Sequence, residues 1–121
     1  MANSSFRDLR VWQHAMELAL ATYRVTSEFP KYELYGLAQQ MRRAAVSVAS
    51  NIAEGKGRQY DKEFRQFLFH ARGSLLELET QLAIASQLEY LTAEKLSEIQ
   101  QLARQVGRSL SGLVNSLASA A

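Results

Sequence analysis

The 121-residue chain has no cysteine and a single proline, and these scarcities narrow the classes of protein that it fits. Without cysteine it has no disulfide framework, no thiolate metal site and no cysteine nucleophile, which is compatible with a reducing compartment. With Pro30 as the only proline and six glycines, few positions interrupt regular structure. A chain of this length fits one domain, so we expect residues 1–121 to form a single helical domain.

The sequence also lacks a long uncharged apolar run. No such run approaches the roughly 20 residues that span a bilayer. The first ten residues, MANSSFRDLR, carry charge where a signal peptide needs an apolar core. We therefore expect a soluble, cytoplasmic protein that does not contact the membrane.

Apolar residues recur at steps of three and four in four stretches, which predicts helices over residues 8–27, 34–53, 61–88 and 93–117. The last two stretches keep a 3.5-residue repeat, which is typical of helix bundles. Short connections join antiparallel neighbours. The sequence therefore predicts an all-α, antiparallel, up-down-up-down four-helix bundle. The predicted core face of the first helix consists of Leu9, Trp12, Met16, Ala19 and Tyr23.

Two further apolar stripes repeat every seven residues beside the predicted core faces. They lie about 100° from those faces, where a lone bundle would meet water. Scattered surface apolar residues are common, but heptad-spaced stripes are better explained by a subunit interface. We therefore expect a homo-oligomer. The predicted interface residues are Val11, Leu18 and Val25 in the first helix and Phe69 and Leu76 in the third.

The stretch SNIAEGKGR, residues 50–58, has the glycines and the lysine of a phosphate-binding loop but not their order. A P-loop needs a glycine five residues before the Gly-Lys pair and a hydroxyl residue after it, between a strand and a helix. Here Gly57 follows Lys56, and a helix precedes the loop. We instead expect Gly55 to turn left-handed after the second helix and Gly57 to let the chain reverse.

Catalytic and metal-binding patterns are also missing. A di-iron bundle needs Glu-x-x-His pairs, but Val11 lies three residues before His14 and Phe67 lies three before His70. His14 and Glu17 share a helix face, yet two ligands are too few for a closed metal site. No serine lies in a nucleophile elbow. We therefore expect no catalytic residues, no metal and no cofactor, and we predict that the protein is not an enzyme.

Basic residues are concentrated in the middle of the chain, where residues 42–72 contain seven bases and three acids. Steps of four, three, four and three connect Arg58, Lys62, Arg65, Phe69 and Arg72. Bases with an interleaved aromatic residue suit a nucleic-acid strand, with phosphates on the bases and a nucleobase on the ring. The predicted nucleic-acid-binding residues are Arg42, Arg43, Lys56, Arg58, Lys62, Arg65 and Arg72.

A different use of the same bases stays open. Arg and Lys commonly solubilise an exposed helix, and Glu54 with Arg58 or Asp61 with Arg65 would form weak i,i+4 pairs. The function is then either nucleic-acid binding by an oligomeric bundle or a protein–protein interaction scaffold that binds no nucleic acid.

Three stretches carry a resemblance to a known family: FRDLRVWQHAMEL, LAQQMRRAAVSVASNIAEGKGR and EFRQFLFHARGSLLELETQL. They resemble the four-helix-bundle family that includes proteins encoded by intervening sequences within 23S ribosomal RNA genes. The resemblance implies a bacterial protein and an antiparallel bundle assembling as a ring-shaped homopentamer. A distant relative is the accessory protein of diversity-generating retroelements, a pentamer with a basic surface that binds nucleic acid and the reverse transcriptase. The resemblance implies no catalytic residue.

Overall fold

The computed structural model describes residues 5–118, and four long helices account for most of them. Two short 3-10 turns precede α1 and α2, and no strand occurs in the described range. The predicted all-α class with four helices is confirmed, and each helix end lies within three residues of its predicted position. The elements are a 3-10 turn at Phe6–Asp8, α1 at Arg10–Thr26, a 3-10 turn at Lys31–Glu33, α2 at Leu37–Lys56, α3 at Asp61–Gln87 and α4 at Ala93–Ala118.

The helices form a bundle in which each packs against two others. α1 contacts α2 and α4, and α3 contacts the same two helices from the other side. Between residues 5 and 118, no helix has the length and apolar character needed to cross a membrane. The predicted core face of α3 is buried along its whole length, in agreement with its heptad repeat. Its buried members are Phe64, Leu68, Ala71, Leu75, Leu78, Leu82 and Ala85.

The predicted core face of α1 is only partly correct. Ala19 is buried and Leu9, Trp12 and Met16 are partly buried against the core, but Tyr23 is exposed. The prediction that Val11 and Leu18 are interface residues is wrong, since they are 4% and 0% exposed in the core of the chain itself. The physical reason is that α1 packs between α2 and α4, so its buried arc is wide enough to include both residues. Val25 is half-buried, whereas Phe69 and Leu76 are exposed.

Gly55 does not end α2, as predicted, but lies buried inside it. No described glycine has a positive φ, and α2 continues to Lys56, with Gly57 as its C-cap. A Cβ atom on Gly55 would lie 2.7 Å from the Cβ of Phe67 and 3.0 Å from Cδ1 of Phe64. The glycine is therefore required for the close approach of α2 to α3, since any side chain would collide with these two phenylalanines.

Glu33 connects the start of α2 with the turn after α3. One carboxylate oxygen accepts a hydrogen bond from the Leu37 N–H at 3.0 Å, and the other accepts one from the Tyr90 hydroxyl at 2.8 Å. The first N–H groups of a helix have no partner within the helix, and the N-cap residue Gly36 has no side chain that could accept a hydrogen bond from them. Glu33 takes this role and supplies the negative charge that a helix start favours. Both hydrogen bonds lower the pKa of the Glu33 carboxyl, and the bond from the Leu37 N–H has the larger effect.

The first prediction concerns Gly55. Gly55→Ala should lower the free energy of unfolding by about 1–2 kcal/mol, because overpacking against two phenylalanines outweighs the gain of about 1 kcal/mol in helix propensity. Urea denaturation at a fixed protein concentration measures the change. Gly73→Ala and Gly112→Ala are matched controls, since a Cβ at either position meets nothing within 4 Å. Both controls should stabilise the chain, and an equal gain for Gly55→Ala would contradict the close-packing account.

The second prediction concerns Glu33 and pH. A lowered carboxyl pKa contributes stability at neutral pH that is lost as the pH falls through the folded-state pKa. Glu33→Gln should therefore be less stable than the wild type at pH 7, and the difference should shrink progressively in the acid range. Thermal unfolding across that range measures it. A difference that is independent of pH would show that the charge is not what matters.

Candidate nucleic-acid interface

The outer side of α3 carries basic residues alternating with apolar ones. Lys62, Arg65 and Arg72 lie on this side with Phe69 and Leu76, and we call these five residues the α3 face. The core residues of α3 lie about 100° away around the helix axis, so this side flanks the core side. Lys62 and Arg72 are exposed and Arg65 is half-buried. The bases extend over about 15 Å, long enough to meet several phosphates of one strand.

Aromatic rings hold two of the guanidinium groups. The Cζ atom of Arg65 lies 5.5 Å from the centre of the Phe69 ring, and that of Arg58 lies 4.6 Å from the Phe67 ring. Such contacts fix the orientation of a guanidinium without neutralising its charge. The Nε atom of Arg65 is buried without a hydrogen-bond partner. The charge of Arg65 therefore remains available to an anion, whereas Arg58 also forms an ion pair with Glu54.

Ion pairs are scarce on this surface. Two are present in residues 5–118: Arg58 with Glu54 at 3.6 Å, and Lys95 with Glu28 at 2.6 Å. The pair of Asp61 with Arg65 that would have solvated the helix does not form. Among residues 5–118, no carboxylate lies within 4.0 Å of the three bases of the α3 face, which favours their use as anion contacts over a salt-bridged surface.

Arg58 departs from the predicted stripe. It precedes the first residue of α3, Asp61, so the helical period does not extend to it. Its guanidinium lies over Phe67, and residues two apart on a helix, such as Phe67 and Phe69, point to different sides. Arg58 therefore lies on the side of α3 that meets α2, where Phe67 contacts the Gly55 backbone.

Arg42 and Arg43 do not join the α3 face either. They line an open groove of about 610 Å³ between α1 and α2, to which α3 contributes no residue. Lys56 is half-buried at the end of α2. The seven predicted bases are thus divided between two surfaces and the α2–α3 turn. The groove between α1 and α2 is called the α1–α2 groove from here on. It is lined by Tyr23, Leu34, Tyr35, Gln39, Arg42, Arg43, Val46 and Ser47.

Sequence reasoning missed the aromatic residues of this groove. Tyr23 is predicted as core, and Tyr35 falls inside the predicted helix over residues 34–53, whereas α2 begins only at Leu37 and leaves Tyr35 in the connection before it. A signal for Tyr35 existed in the run FPKYELYG, which holds two tyrosines near the only proline. Tyrosines in a polar turn are expected to be exposed, because nothing nearby can bury them.

A larger groove of about 730 Å³ lies between α1 and α4 and has both signs of charge. Ala21, Val25, Ile99 and Leu102 contribute apolar surface, and Glu28, Glu98, Arg24 and Arg108 lie among them. His14 also belongs to this helix pair, since its Nδ1 atom lies 3.3 Å from the Ser109 hydroxyl. In the described range no three His, Cys, Asp or Glu residues are placed to hold a metal ion together.

Comparison with known proteins supports the fold. A family model described as 23S rRNA-intervening sequence protein matches residues 7–112. Among solved structures, the chain resembles a protein of unknown function from the S23 ribosomal protein family of Bacteroides thetaiotaomicron, whose crystal structure has a resolution of 1.70 Å. The TM-score is 0.81 at 21% identity, covering 87% of this chain and 95% of that one, which establishes a shared fold. No curated protein matches significantly.

Proposed function

This chain belongs to the 23S rRNA-intervening sequence protein family, and from that premise we propose that it is a non-enzymatic, homo-oligomeric helical bundle that binds RNA or DNA through basic surfaces. Consecutive helices run antiparallel in this proposal, because turns of four and five residues connect α2 to α3 and α3 to α4. A nucleic-acid target would place this role in the cytoplasm.

The observation that carries the proposal is the unneutralised charge of the α3 face. Lys62, Arg65 and Arg72 lie on one side of one helix, and no carboxylate of the described residues forms an ion pair with them. Phosphates along a strand would replace the missing counter-charges and release bound cations, which is the main source of sequence-independent affinity. Arg58, beside the same helix, pairs with Glu54 at the long distance of 3.6 Å.

Self-association uses the apolar members of the same helix. Phe69 and Leu76 are 46% and 56% exposed and lie one heptad apart. We propose that they pack into the α1–α4 groove of a second copy, where Val25 contributes apolar surface. Such a head-to-tail contact repeats around a closed ring, consistent with the pentamer that the family resemblance implies.

One observation favours a different function, a protein–protein scaffold that binds no nucleic acid. The exposed Phe69 and Leu76 could receive a foreign protein instead of a second copy, with the bases as a polar rim. Capture of a protein partner that does not weaken at high salt, with no nucleic acid bound, would favour this alternative.

The third prediction concerns the salt dependence of RNA binding. A triple variant, Lys62→Gln, Arg65→Gln and Arg72→Gln, should bind a short RNA hairpin more weakly than the wild type. The slope of log affinity against log salt should become shallower by about 2–3, since each lost phosphate contact removes about 0.9. Fluorescence anisotropy of a labelled hairpin across several salt concentrations measures both quantities.

A matched control removes the same charge elsewhere. Arg7→Gln, Arg10→Gln and Lys31→Gln together also remove three exposed bases, from α1 and the two 3-10 turns. This variant should keep the wild-type slope to within about one unit. If both triple variants lose affinity equally, net charge and not the α3 face drives binding.

The fourth prediction concerns assembly. The wild type should have a mass in solution several times its 13.6 kDa chain mass. Phe69→Glu with Leu76→Glu should give a monomer with an intact groove, and Val25→Glu should give a monomer with an intact α3 face. Because the contact is head-to-tail, mixing the two should restore one interface and yield a dimer in light scattering. Circular dichroism verifies that each variant is folded, and a mixture that stays monomeric contradicts the head-to-tail pairing.

A further inference from the structure

We propose that the α1–α2 groove binds an unpaired stretch of nucleic acid, with a base stacked on Tyr35 and the adjoining phosphates on Arg42 and Arg43. This inference rests on the proposed function and adds the form of nucleic acid, a single strand, and a second site for it. Three features of the groove carry it: an anchored arginine, an exposed ring and the absence of lining acids.

The guanidinium of Arg42 is held in place by two contacts with α1. Its Nε donates a hydrogen bond to the Thr26 hydroxyl at 2.8 Å, and its Cζ lies 4.8 Å from the centre of the Tyr23 ring. Thr26 is itself buried, and its hydroxyl donates to the Thr22 carbonyl at 2.7 Å. In the part of the chain that the structure describes, Nε is the single nitrogen of this guanidinium with a protein partner, so its remaining donors are available to a phosphate.

Tyr35 presents an aromatic ring that the bundle does not cover. It is 84% exposed, although tyrosine gains by burying its ring, and the neighbouring Leu34 is also exposed. A ring held at the rim of a groove is suited to stack against a nucleobase, and every base has a face that fits it.

The charges of the groove favour a polyanion. Arg42 and Arg43 both line it, no carboxylate does, and neither arginine forms an ion pair with a described residue. The α1–α4 groove is different, because Glu28 and Glu98 lie there among its bases. The lack of lining acids also favours a nucleic acid over a second copy of this chain as the occupant of the α1–α2 groove. The basic α3 face of a second copy would be repelled by Arg42 and Arg43.

The proposed ligand is a single strand because its bases must be accessible to the Tyr35 ring. A duplex stacks its bases inside its own helix, so Tyr35 could reach a base only where pairing is interrupted. Duplex ends and loops would satisfy this requirement, whereas a fully paired helix would offer phosphates alone.

The experiment compares two probes of equal length, a fluorescein-labelled oligouridine and a labelled, fully paired RNA duplex. Tyr35→Ala should weaken oligouridine binding about 5- to 150-fold, the range measured for loss of one stacking contact, and leave the salt slope unchanged. Arg43→Gln should make the slope shallower by about 0.7, the value for one phosphate of a single strand. Neither variant should change duplex affinity by more than about twofold.

Two control variants separate stacking from general effects. Tyr35→Phe keeps the ring and should bind oligouridine like the wild type. Tyr32→Ala removes a tyrosine that is 77% exposed, three positions away and outside the groove, and it should also leave oligouridine affinity unchanged. Circular dichroism and the mass in solution establish that every variant keeps its fold and its assembly.

The outcomes distinguish this inference from the function on which it rests. If the wild type binds oligouridine and both groove variants bind it equally well, the groove is not the site, although the proposed function stands. If the wild type binds neither probe, both proposals are wrong. If Tyr35→Ala lowers the mass in solution without changing affinity, a second copy occupies the groove and the inference is overturned.

Discussion

The close contact of α2 with α3 at Gly55 is the constraint on which the rest of the structure depends. Because this residue has no side chain, the Phe64 ring and the Phe67 Cβ atom pack close to the α2 backbone. That contact fixes the rotation of α3, which turns its core stripe inward and the bases of the flanking side outward. It also places Phe67 under the guanidinium of Arg58. Gly55, which the sequence places in a stretch resembling a phosphate-binding loop, therefore acts through helix packing. It affects the candidate binding surface only indirectly, through the position of α3.

The sequence was most informative for α3. There the heptad repeat identified every buried apolar position, although Phe69 and Leu76 form a second stripe. In α1 two stripes had similar apolar content, and contacts with both α2 and α4 bury Val11 and Leu18 more deeply than Trp12 and Met16. The end of α3 was predicted to within one residue, but the turn after it was not, since Glu89 adopts a positive φ of 60° where glycine is the usual residue. Periodicity describes one helix at a time, whereas these features depend on its neighbours.

The same distinction between features of one helix and features that depend on its neighbours applies to the candidate surfaces. Spacing identified Lys62, Arg65 and Arg72 correctly as neighbours, because all three belong to one regular helix. It extended the stripe to Arg58, which precedes α3. Spacing also does not reveal that the guanidinium of Arg42 is anchored on Thr26 and Tyr23 of another helix. The two surfaces now have complementary roles in our account. The α3 face supplies phosphate contacts that ignore base pairing, whereas the groove selects unpaired bases.

Zero-length photocrosslinking of the wild-type protein to a 4-thiouridine-containing RNA, read by peptide mass spectrometry, tests the central claim most directly. The RNA should contain one hairpin and one unpaired tail. We predict crosslinked peptides from two places, the α3 segment that carries Lys62, Arg65 and Arg72 and the turn containing Tyr35, with the second dependent on the unpaired tail. Crosslinks confined to the mixed-charge groove between α1 and α4, or none above a high-salt control, would contradict it.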